Sequence, residues 1–241
     1  MSGPPILSAA RLDFAFEPEE WDFARERRTE IDAVFAQMQA ERPALWNGRV
    51  LLMKHYAFDN GVMRGAFFET DFASFSAWRR WNRPVAVYDC FGAGAIETAD
   101  GAFLLGVMAA HTFNGGQIYF PCGTPDAGDI AGGKVDLDSN IRRELMEETG
   151  LDTGELTPEP GWTIVTGHRQ IAAVKVMRSA LPAERLRQRI MAHLAKEARP
   201  ELADIRIVRS PADLDGATMD FARRFLVHRF TGGKVPDHEA R

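Results

Sequence analysis

The sequence predicts a mixed α/β fold. Segments whose apolar residues recur at intervals of three and four, typical of helices, are interspersed along the chain with short apolar or alternating runs, typical of strands. Two turn signals, Asn60-Gly61 and Asp100-Gly101, stand between strand-like runs and favour tight hairpins. With 241 residues, 45% of them hydrophobic, the chain is long enough to bury a full core.

Residues 1–84 are predicted to form an N-terminal extension that begins with a helix. The first fifteen or so residues, which include Gly3, Pro4 and Pro5, are expected to be a loosely held lead-in outside the core. From Glu19 to about Gln39, the apolar spacing predicts an amphipathic helix whose charged face is solvated. The apolar residues of this helix are Phe23, Ile31, Val34, Phe35 and Met38.

A hairpin and a second helix complete the extension. Arg49 to Lys54 and Val62 to Thr70 are predicted strands, joined by the turn at Asn60-Gly61. Phe72 to Trp81 is predicted to be a short helix whose aromatic side chains belong to a core or an interface. The apolar hairpin would also suit a homodimer contact.

Residues 85–241 are predicted to form the second domain, with strands and helices mixed. Its predicted strands are Val85 to Asp89, Gly92 to Thr98, Ala102 to Ala110, Ile118 to Phe120, Trp162 to Met177 and Ile205 to Val208. Its predicted helices are Ile141 to Thr149, Ala183 to Ala198 and Met219 to Phe230. Gly and Asp accumulate between Pro121 and Asp138, which predicts a long loop of the kind that is usually functional or disordered.

The composition narrows the class of partner. A formal charge of −5 argues against a protein that binds nucleic acid or an anionic membrane electrostatically, so a small-molecule ligand is expected. Cys90 and Cys122, the only two cysteines, exclude a disulfide scaffold and a four-cysteine metal site and suit a reducing compartment. The start lacks the pattern of a secretory signal, and there is no run of about 18 apolar residues. A cytoplasmic protein is the expectation.

Three carboxylates converge on the predicted helix that follows the loop. At 100° per residue, Glu144, Glu147 and Glu148 fall within an arc of about 100°, beside the arc of Ile141 and Leu145 that can face a core. Like charges at this spacing destabilise a helix, so the pattern indicates a compensating cation. Oxygen ligands suit Mg²⁺ or Mn²⁺. The alternative is an ordinary solvated acidic helix.

The ends of this acidic helix are well marked. Asp138 or Ser139 is predicted to cap its N-terminus, and Gly150 stands where a left-handed residue would end it.

The same segment resembles a known motif. Its residues run Arg143-Glu144-Leu145-Met146-Glu147-Glu148-Thr149-Gly150-Leu151, which is similar to the second half of the Nudix box, Gx5Ex7REUxEExGU, where U is aliphatic. Phe120-Pro121-Cys122-Gly123 occupies the place of the strand end that usually precedes the box. The resemblance extends over roughly Val85 to Phe230. It implies a Nudix-like α/β/α sandwich for residues 85–241, preceded by the helix-plus-hairpin extension.

The first half of the box departs from the family pattern. Counted back from Arg143, the glutamate position falls on Val135 and the glycine position on Asp129. Asp129, Asp136 or Asp138 could supply a replacement carboxylate, although Asp136 and Asp138 could equally be helix caps.

The resemblance implies a divalent-metal-dependent pyrophosphohydrolase. Such enzymes cleave the pyrophosphate of a nucleoside diphosphate linked to a group X, by attack of water on phosphorus. It implies metal ligands at Glu144, Glu147 and Glu148, a catalytic role for Arg143, and a general base at Glu148 or at a glutamate outside the box. Glu197 and Glu201 are the outside candidates, although each could be an ordinary surface carboxylate.

Cationic side chains are needed to bind the phosphates. Arg169 and Lys175, on the strand after the acidic helix, and Arg64, on the hairpin, are the candidates. His168 is expected to be a packed or edge residue rather than an acid or base, and the histidines show no zinc-ligand spacing.

The expected substrate is a nucleotide sugar. The N-terminal extension resembles the leading region of the UDP-glucose-cleaving branch of Nudix enzymes, whose members also carry a long loop before the box helix. Coenzyme A and ADP-ribose pyrophosphatases are alternatives within the family. Two further alternatives are not enzymes. One is a non-catalytic Nudix-like nucleotide-binding module, and the other is a structural protein whose acidic helix binds a basic partner.

Overall fold

The computed structural model describes residues 4–43 and 45–232. Its strands are β1 Ile6–Ala9, β2 Arg11–Phe16, β3 Arg49–Asp59, β4 Val62–Asp71, β5 Asp89–Glu97, β6 Phe103–Met108, β7 Ile118–Tyr119, β8 Cys122–Gly123, β9 Ile130–Ala131, β10 Lys134–Val135, β11 Leu156–Pro158, β12 Trp162–Gly167, β13 Gln170–Ser179 and β14 Leu202–Val208. Its helices are α1 Asp22–Glu26, α2 Arg28–Glu41, α3 Phe72–Arg80, α4 Leu137–Thr149, α5 Ala183–Leu194 and α6 Asp220–Phe230.

The larger sheet carries helices on both faces. Its strands run in the order β1-β12-β13-β5-β6-β14, and β13 pairs with β5 in parallel. Side chains alternate along β5, so Gly92 lies against Ile141 of α4 while Phe91 packs edge-on against Phe221 of α6. Helix α5 contacts α4 and so lies on the same face. The predicted α/β fold with an α/β/α layering is therefore confirmed.

The smaller sheet separates two hydrophobic cores. It has the order β3-β4-β2-β10-β9. Alternation along β3 sends Leu51 and Met53 into the core shared with β5, and sends Leu52 into a second core beneath α2 and α3, where it joins Ile31 and Trp78. The first half of β3 therefore buries side chains on both of its faces.

The predicted loose lead-in is wrong for the described residues of that segment. Residues from Ile6 onward form β1 and β2, and Ala9 and Phe14 are almost fully buried. Gly3 lies outside the described residues. The sequence does not predict β1 because this strand is completed by a distant partner. It pairs with β12, where Ile6 lies opposite Val165, more than 150 residues away.

The domain boundary predicted between residues 84 and 85 stays a prediction. Strands of the predicted extension pair with strands of the predicted second domain. Strand β1 pairs with β12, and β2 pairs with β10. The last nine residues of the predicted second domain, 233–241, lie outside the described part of the chain.

The local signals of the extension are confirmed. Strands β3 and β4 form the predicted antiparallel hairpin, with positive φ at Asn60 and Gly61. The aromatic helix is α3, whose Phe75 and Trp78 are buried in the second core. The first predicted helix is divided, because the backbone leaves helical geometry at Arg27 between α1 and α2.

Three predictions in the second domain need correction. The strand predicted from Trp162 to Met177 is two strands, β12 and β13, joined by a tight turn in which Arg169 adopts a positive φ of 52°. The two strands predicted around Asp89 are one strand, β5, and residues 85–88 form only an isolated bridge from Tyr88 to Met53. The predicted loop from Pro121 contains the short strands β8, β9 and β10.

Among the helices of the described residues, none is long and apolar enough to cross a membrane.

Candidate active site at the acidic helix

Helix α4 starts earlier than the sequence predicts. Its N-cap is Asp136, whose carboxylate accepts from the backbone N–H groups of Asp138 at 3.0 Å and Ser139 at 3.2 Å. The prediction of Asp138 or Ser139 as the cap is therefore wrong, and the alternative of Asp136 as a cap is confirmed. Gly150 ends the helix with a φ of 66°, as predicted.

Close packing fixes the position of α4 against the sheet. A β-carbon on Gly92 would come within 2.8 Å of Ile141, and one on Gly94 within 3.1 Å of Leu145. Only residues without a side chain allow the helix to approach β5 this closely. The arc of Ile141 and Leu145 faces the core as predicted, so the glutamates lie on the neighbouring side.

The three glutamates have different surroundings. Glu148 is 5% exposed as a residue, the Glu144 side chain is 12% exposed, and the Glu147 side chain is 59% exposed. Glu144 lies against β8, where a β-carbon on Gly123 would come within 2.8 Å of its Oε2 and closer still to its Oε1. Within residues 4–43 and 45–232, no three His, Cys, Asp or Glu side chains are already arranged to hold a metal ion.

Burial makes the two inner carboxylates costly to ionise. It raises the pKa of Glu144 to about 7, helped by the negative charges of Glu147, Glu201 and Asp129, while Arg143 acts in the opposite direction. Burial also raises the pKa of Glu148 well above its usual range, with Glu144 and Glu201 adding to the effect. A nearby divalent cation would reverse this shift, because it favours the charged form of both groups.

The carboxylate of Glu148 has an unsatisfied oxygen. Its Oε2 is buried and has no hydrogen-bond partner among the described residues. Buried polar atoms are nearly always paired, so such an atom calls for an explanation. A divalent ion coordinated by Glu148 and Glu144 would provide one, and the exposed Glu147 would be its third carboxylate ligand. The residues present therefore fit Mg²⁺ or Mn²⁺.

Arg143 joins the acidic helix to the loop before it. Its Nη2 donates to Asp129 Oδ2 at 3.0 Å, its Nη1 donates to Glu144 Oε1 at 2.8 Å, and it lies 3.7 Å from Glu147 Oε2. The Asp129 side chain is only 2% exposed and also accepts from the Asn140 side chain and the Asp126 backbone N–H, each at 3.0 Å. Asp129 thus anchors the loop and Arg143.

The other positions of the altered first half of the box lie apart from this anchor. Asp138 lies 3.9 Å from Lys175, and Val135 is buried in β10.

One outside glutamate lies near the acidic helix. Glu201 stands at the start of β14, where its backbone carbonyl accepts from Ala109 N–H, and its charge raises the pKa of both Glu144 and Glu148. Glu197 instead pairs at 2.9 Å with His193 of α5, whose ring packs against Gly150 at the end of α4. The structure therefore separates two candidates that the sequence could not distinguish.

The predicted phosphate-binding cations are scattered. Arg64 pairs with Asp13 at 2.7 Å on the smaller sheet. Lys175 lies over the Trp162 ring and near Asp138, and Asp138 is ten residues, or about 15 Å, from Glu148 along the helix. Arg169 belongs to the turn before β13, and its carbonyl accepts from Asp89 N–H. His168 is exposed in the same turn, in keeping with the edge position expected for it.

Comparison with protein-family models and with curated proteins found no match for this chain. Comparison with solved structures found similar ones. The MutT protein of Methanosarcina mazei Go1 is 17% identical, with 60% of this chain and 94% of that one covered and a TM-score of 0.39. A Nudix hydrolase from Nitrosomonas europaea is 14% identical, with 64% and 96% covered and a TM-score of 0.40. Shewanella oneidensis NrtR, solved with a 27mer DNA, is 15% identical, with 59% and 60% covered and a TM-score of 0.39.

Proposed function

We propose that this chain is a Nudix-type hydrolase that uses Mg²⁺ or Mn²⁺ to cleave the pyrophosphate of a nucleoside diphosphate linked to a group X. The main support is the buried, unpaired Oε2 of Glu148 beside the Glu144 carboxylate, on the helix that carries the Arg-Glu-Leu-x-Glu-Glu-x-Gly-Leu motif. A buried carboxylate with no counter-charge, beside a second one that has only Arg143, is suited to a divalent ion.

Glu144 and Glu148 would hold the ion on the inner side of the site, and Glu147 would complete its ligands from the exposed side. The ion would offset the negative charge of the pyrophosphate and lower the pKa of the attacking water. Arg143 keeps Glu144 in place while its own position is set by Asp129. We assign Arg143 a positioning role on this ground, because its guanidinium group lies within 4.0 Å of four carboxylates, those of Asp126, Asp129, Glu144 and Glu147.

The proton of the attacking water needs an acceptor. Glu148 and Glu201 are the two candidates, and we favour Glu201 because Glu148 is buried and is needed as a ligand, whereas Glu201 is exposed and close to both inner carboxylates. A general base must reach a water molecule, which an exposed side chain at the rim of the site can do.

We further propose nucleotide sugars as the substrate class. The support is the large N-terminal extension, whose α2 and α3 carry Arg42 and Arg79 to the loop between β6 and β7. These arginines lie over the Phe113 ring, 5.7 Å and 5.3 Å from its centre. An extension that shapes a loop beside the site can adapt the site to a bulky X group. Cytoplasmic location and a homodimer stay predictions.

A product screen tests the proposal. The purified protein is incubated with Mg²⁺ or Mn²⁺ and with nucleotide sugars, ADP-ribose, coenzyme A or nucleoside triphosphates, and nucleoside monophosphate release is followed by chromatography. We expect release from nucleotide sugars that is abolished by EDTA and by the Glu147→Gln/Glu148→Gln double variant. A folded, metal-binding protein that cleaves none of these compounds would instead support a non-catalytic nucleotide-binding module.

A further inference from the structure

A cavity lies between the end of α2, the loop that joins β6 to β7, and the residues that precede β14. Its volume of about 690 Å³ is within the range of small-molecule sites. The wall that α2 and residues 43 and 45 supply lies outside the stretch from Val85 to Phe230 over which the resemblance to known enzymes extends. The extension of this chain therefore completes the cavity.

Hydrogen bonds hold the three walls together. Arg42 Nη1 donates to the Phe113 carbonyl oxygen at 3.3 Å, which links the end of α2 to the loop. Ala109 N–H donates to the Glu201 carbonyl oxygen at 2.8 Å, which links the loop to β14. Within the first wall, Leu45 N–H donates to the Arg42 carbonyl oxygen at 2.9 Å. The cavity is thus formed before a ligand binds, and a preformed site loses less entropy on binding.

The cavity adjoins the inner carboxylates of the acidic helix. Glu201 lines it, and the charge of Glu201 raises the pKa of both Glu144 and Glu148. A ligand whose pyrophosphate lies at these two glutamates can therefore place one of its terminal groups in the cavity.

Four charged side chains of the lining balance one another in sign. Glu41 and Glu201 are carboxylates, and Arg42 and Arg199 carry guanidinium groups. Among the described residues, no ion pair within 4.0 Å involves any of the four. Apart from the bond of Arg42 to the loop, their donors and acceptors are available to a ligand. The cavity thus offers hydrogen bonds of both kinds with no net charge from these four groups.

We propose that this cavity binds the X group of the substrate and selects an X that is neutral and rich in hydroxyl groups, such as a hexose, over an X that carries a charge. This inference rests on the proposed function, since it takes the ligand to be a nucleoside diphosphate linked to X. A hydroxyl group both donates and accepts hydrogen bonds, so neighbouring hydroxyls can bond carboxylates and guanidinium groups together.

Other ligand groups match this lining less well. An ionised carboxylate or phosphate on X only accepts hydrogen bonds, so it would pair with the arginines but be repelled by Glu41 and Glu201. A cationic X would be repelled by the arginines. A nucleobase gains most from a face on which it can stack, and Phe113, the phenyl ring of the lining, is already in contact with Arg42 and Arg79. The lining therefore suits X better than the base.

Equilibrium binding tests the inference without any need for turnover. The probes are the α,β-methylene analogues of UDP, UDP-glucose and UDP-glucuronate, together with their adenosine counterparts, titrated calorimetrically in the presence of Mg²⁺. Glucose and glucuronate differ only where a hydroxymethyl group is replaced by a carboxylate. In at least one nucleotide series, we expect the glucose analogue to bind about tenfold or more tighter than the glucuronate analogue, because like charges at a binding site are unfavourable.

Two variants separate the contributions of the lining. Arg199→Met should weaken binding of the glucose analogue about fivefold or more, because it removes hydrogen-bond donors to X. Glu41→Gln should tighten binding of the glucuronate analogue and so reduce the preference to below about threefold. Neither variant should change binding of the nucleoside diphosphate analogue by more than about threefold, because that probe has no X group.

The matched control is Arg185→Met, an exposed arginine of α5 that does not line the cavity and should leave all affinities unchanged. Equal or tighter binding of the glucuronate analogue, a preference unchanged in Glu41→Gln, or equal effects of Arg199→Met and Arg185→Met would overturn the inference. So would the failure of every probe to bind. A hexose preference that depends on Arg199, in a protein that hydrolyses nothing, supports the cavity and contradicts only the hydrolase proposal. Hydrolysis of nucleotide sugars that Arg199→Met binds normally contradicts only the cavity.

Discussion

The carboxylate of Glu144 rests directly on the α-carbon of Gly123, with no room for a side chain between them. Glycine at this position is required by the close approach and not by backbone conformation, since Gly123 is not among the residues with positive φ. The position of a predicted metal ligand thus depends on a residue of β8 that stands 21 positions earlier in the chain.

Gly123→Ala should therefore move Glu144 and lower activity at least tenfold while the protein stays folded. The added methyl group would overlap the carboxylate, and a shift of about 1 Å in a catalytic group can cost on the order of 100-fold in rate. Steady-state kinetics on the substrate found in the product screen measures the effect. Gly216→Ala is the control, because nothing lies within 4 Å of a β-carbon there. Full activity in Gly123→Ala would show that Glu144 does not need its present position.

Asp129→Ala should lower the free energy of unfolding by about 3 kcal/mol. It removes the buried partner of Arg143 and leaves the Asn140 amide and the Asp126 N–H without their acceptor. Urea denaturation measures the change. The control is Glu155→Ala, which breaks an exposed ion pair with Arg189 and should change the free energy of unfolding far less. Similar losses in the two variants would mean that Asp129 is not the anchor described above.

The sequence predicts those features whose signals are local. The β3–β4 hairpin follows from Asn60-Gly61, and the end of α4 follows from Gly150. Features that depend on distant partners are missed. The N-terminal strand β1 is completed by β12, and the turn between β12 and β13 has no Asn-Gly or Asp-Gly pair because Arg169 itself adopts the left-handed conformation.

The same distinction holds for the candidate site. The arc of three glutamates and the core arc of α4 can be derived from helical periodicity alone. The roles of Asp129 and Glu201 cannot be derived in this way. Asp129 reaches Arg143 through a folded loop, and Glu201, which lies near α4 in the fold, follows it by about 50 residues in the chain.

The stability of the metal-free protein should fall as pH rises from about 5 to 8. The folded-state pKa of Glu144, about 7, lies above its usual value of 4.5, so the folded protein holds a proton that the unfolded chain releases. The contribution of Glu144 to the free energy of unfolding is therefore largest at low pH and is lost as the pH rises through about 7. The measurement is Tm against pH in EDTA. Glu144→Gln should flatten the profile, whereas Glu184→Gln, on the surface and paired with Arg209, should not.

Added Mn²⁺ should raise Tm more at pH 8 than at pH 5, because the ion binds the deprotonated glutamates. Equal Tm shifts at both pH values, or none, would contradict a metal site at Glu144 and Glu148.

Glu201→Gln should lower kcat by about 100-fold or more, while the protein stays folded and still binds metal. The exchange removes a proton acceptor and keeps the shape of the side chain, and general-base catalysis contributes typically about 100- to 10,000-fold. Glu197→Gln is the matched control, since Glu197 pairs with His193 of α5. Wild-type kinetics in Glu201→Gln would assign the proton transfer to Glu148 instead.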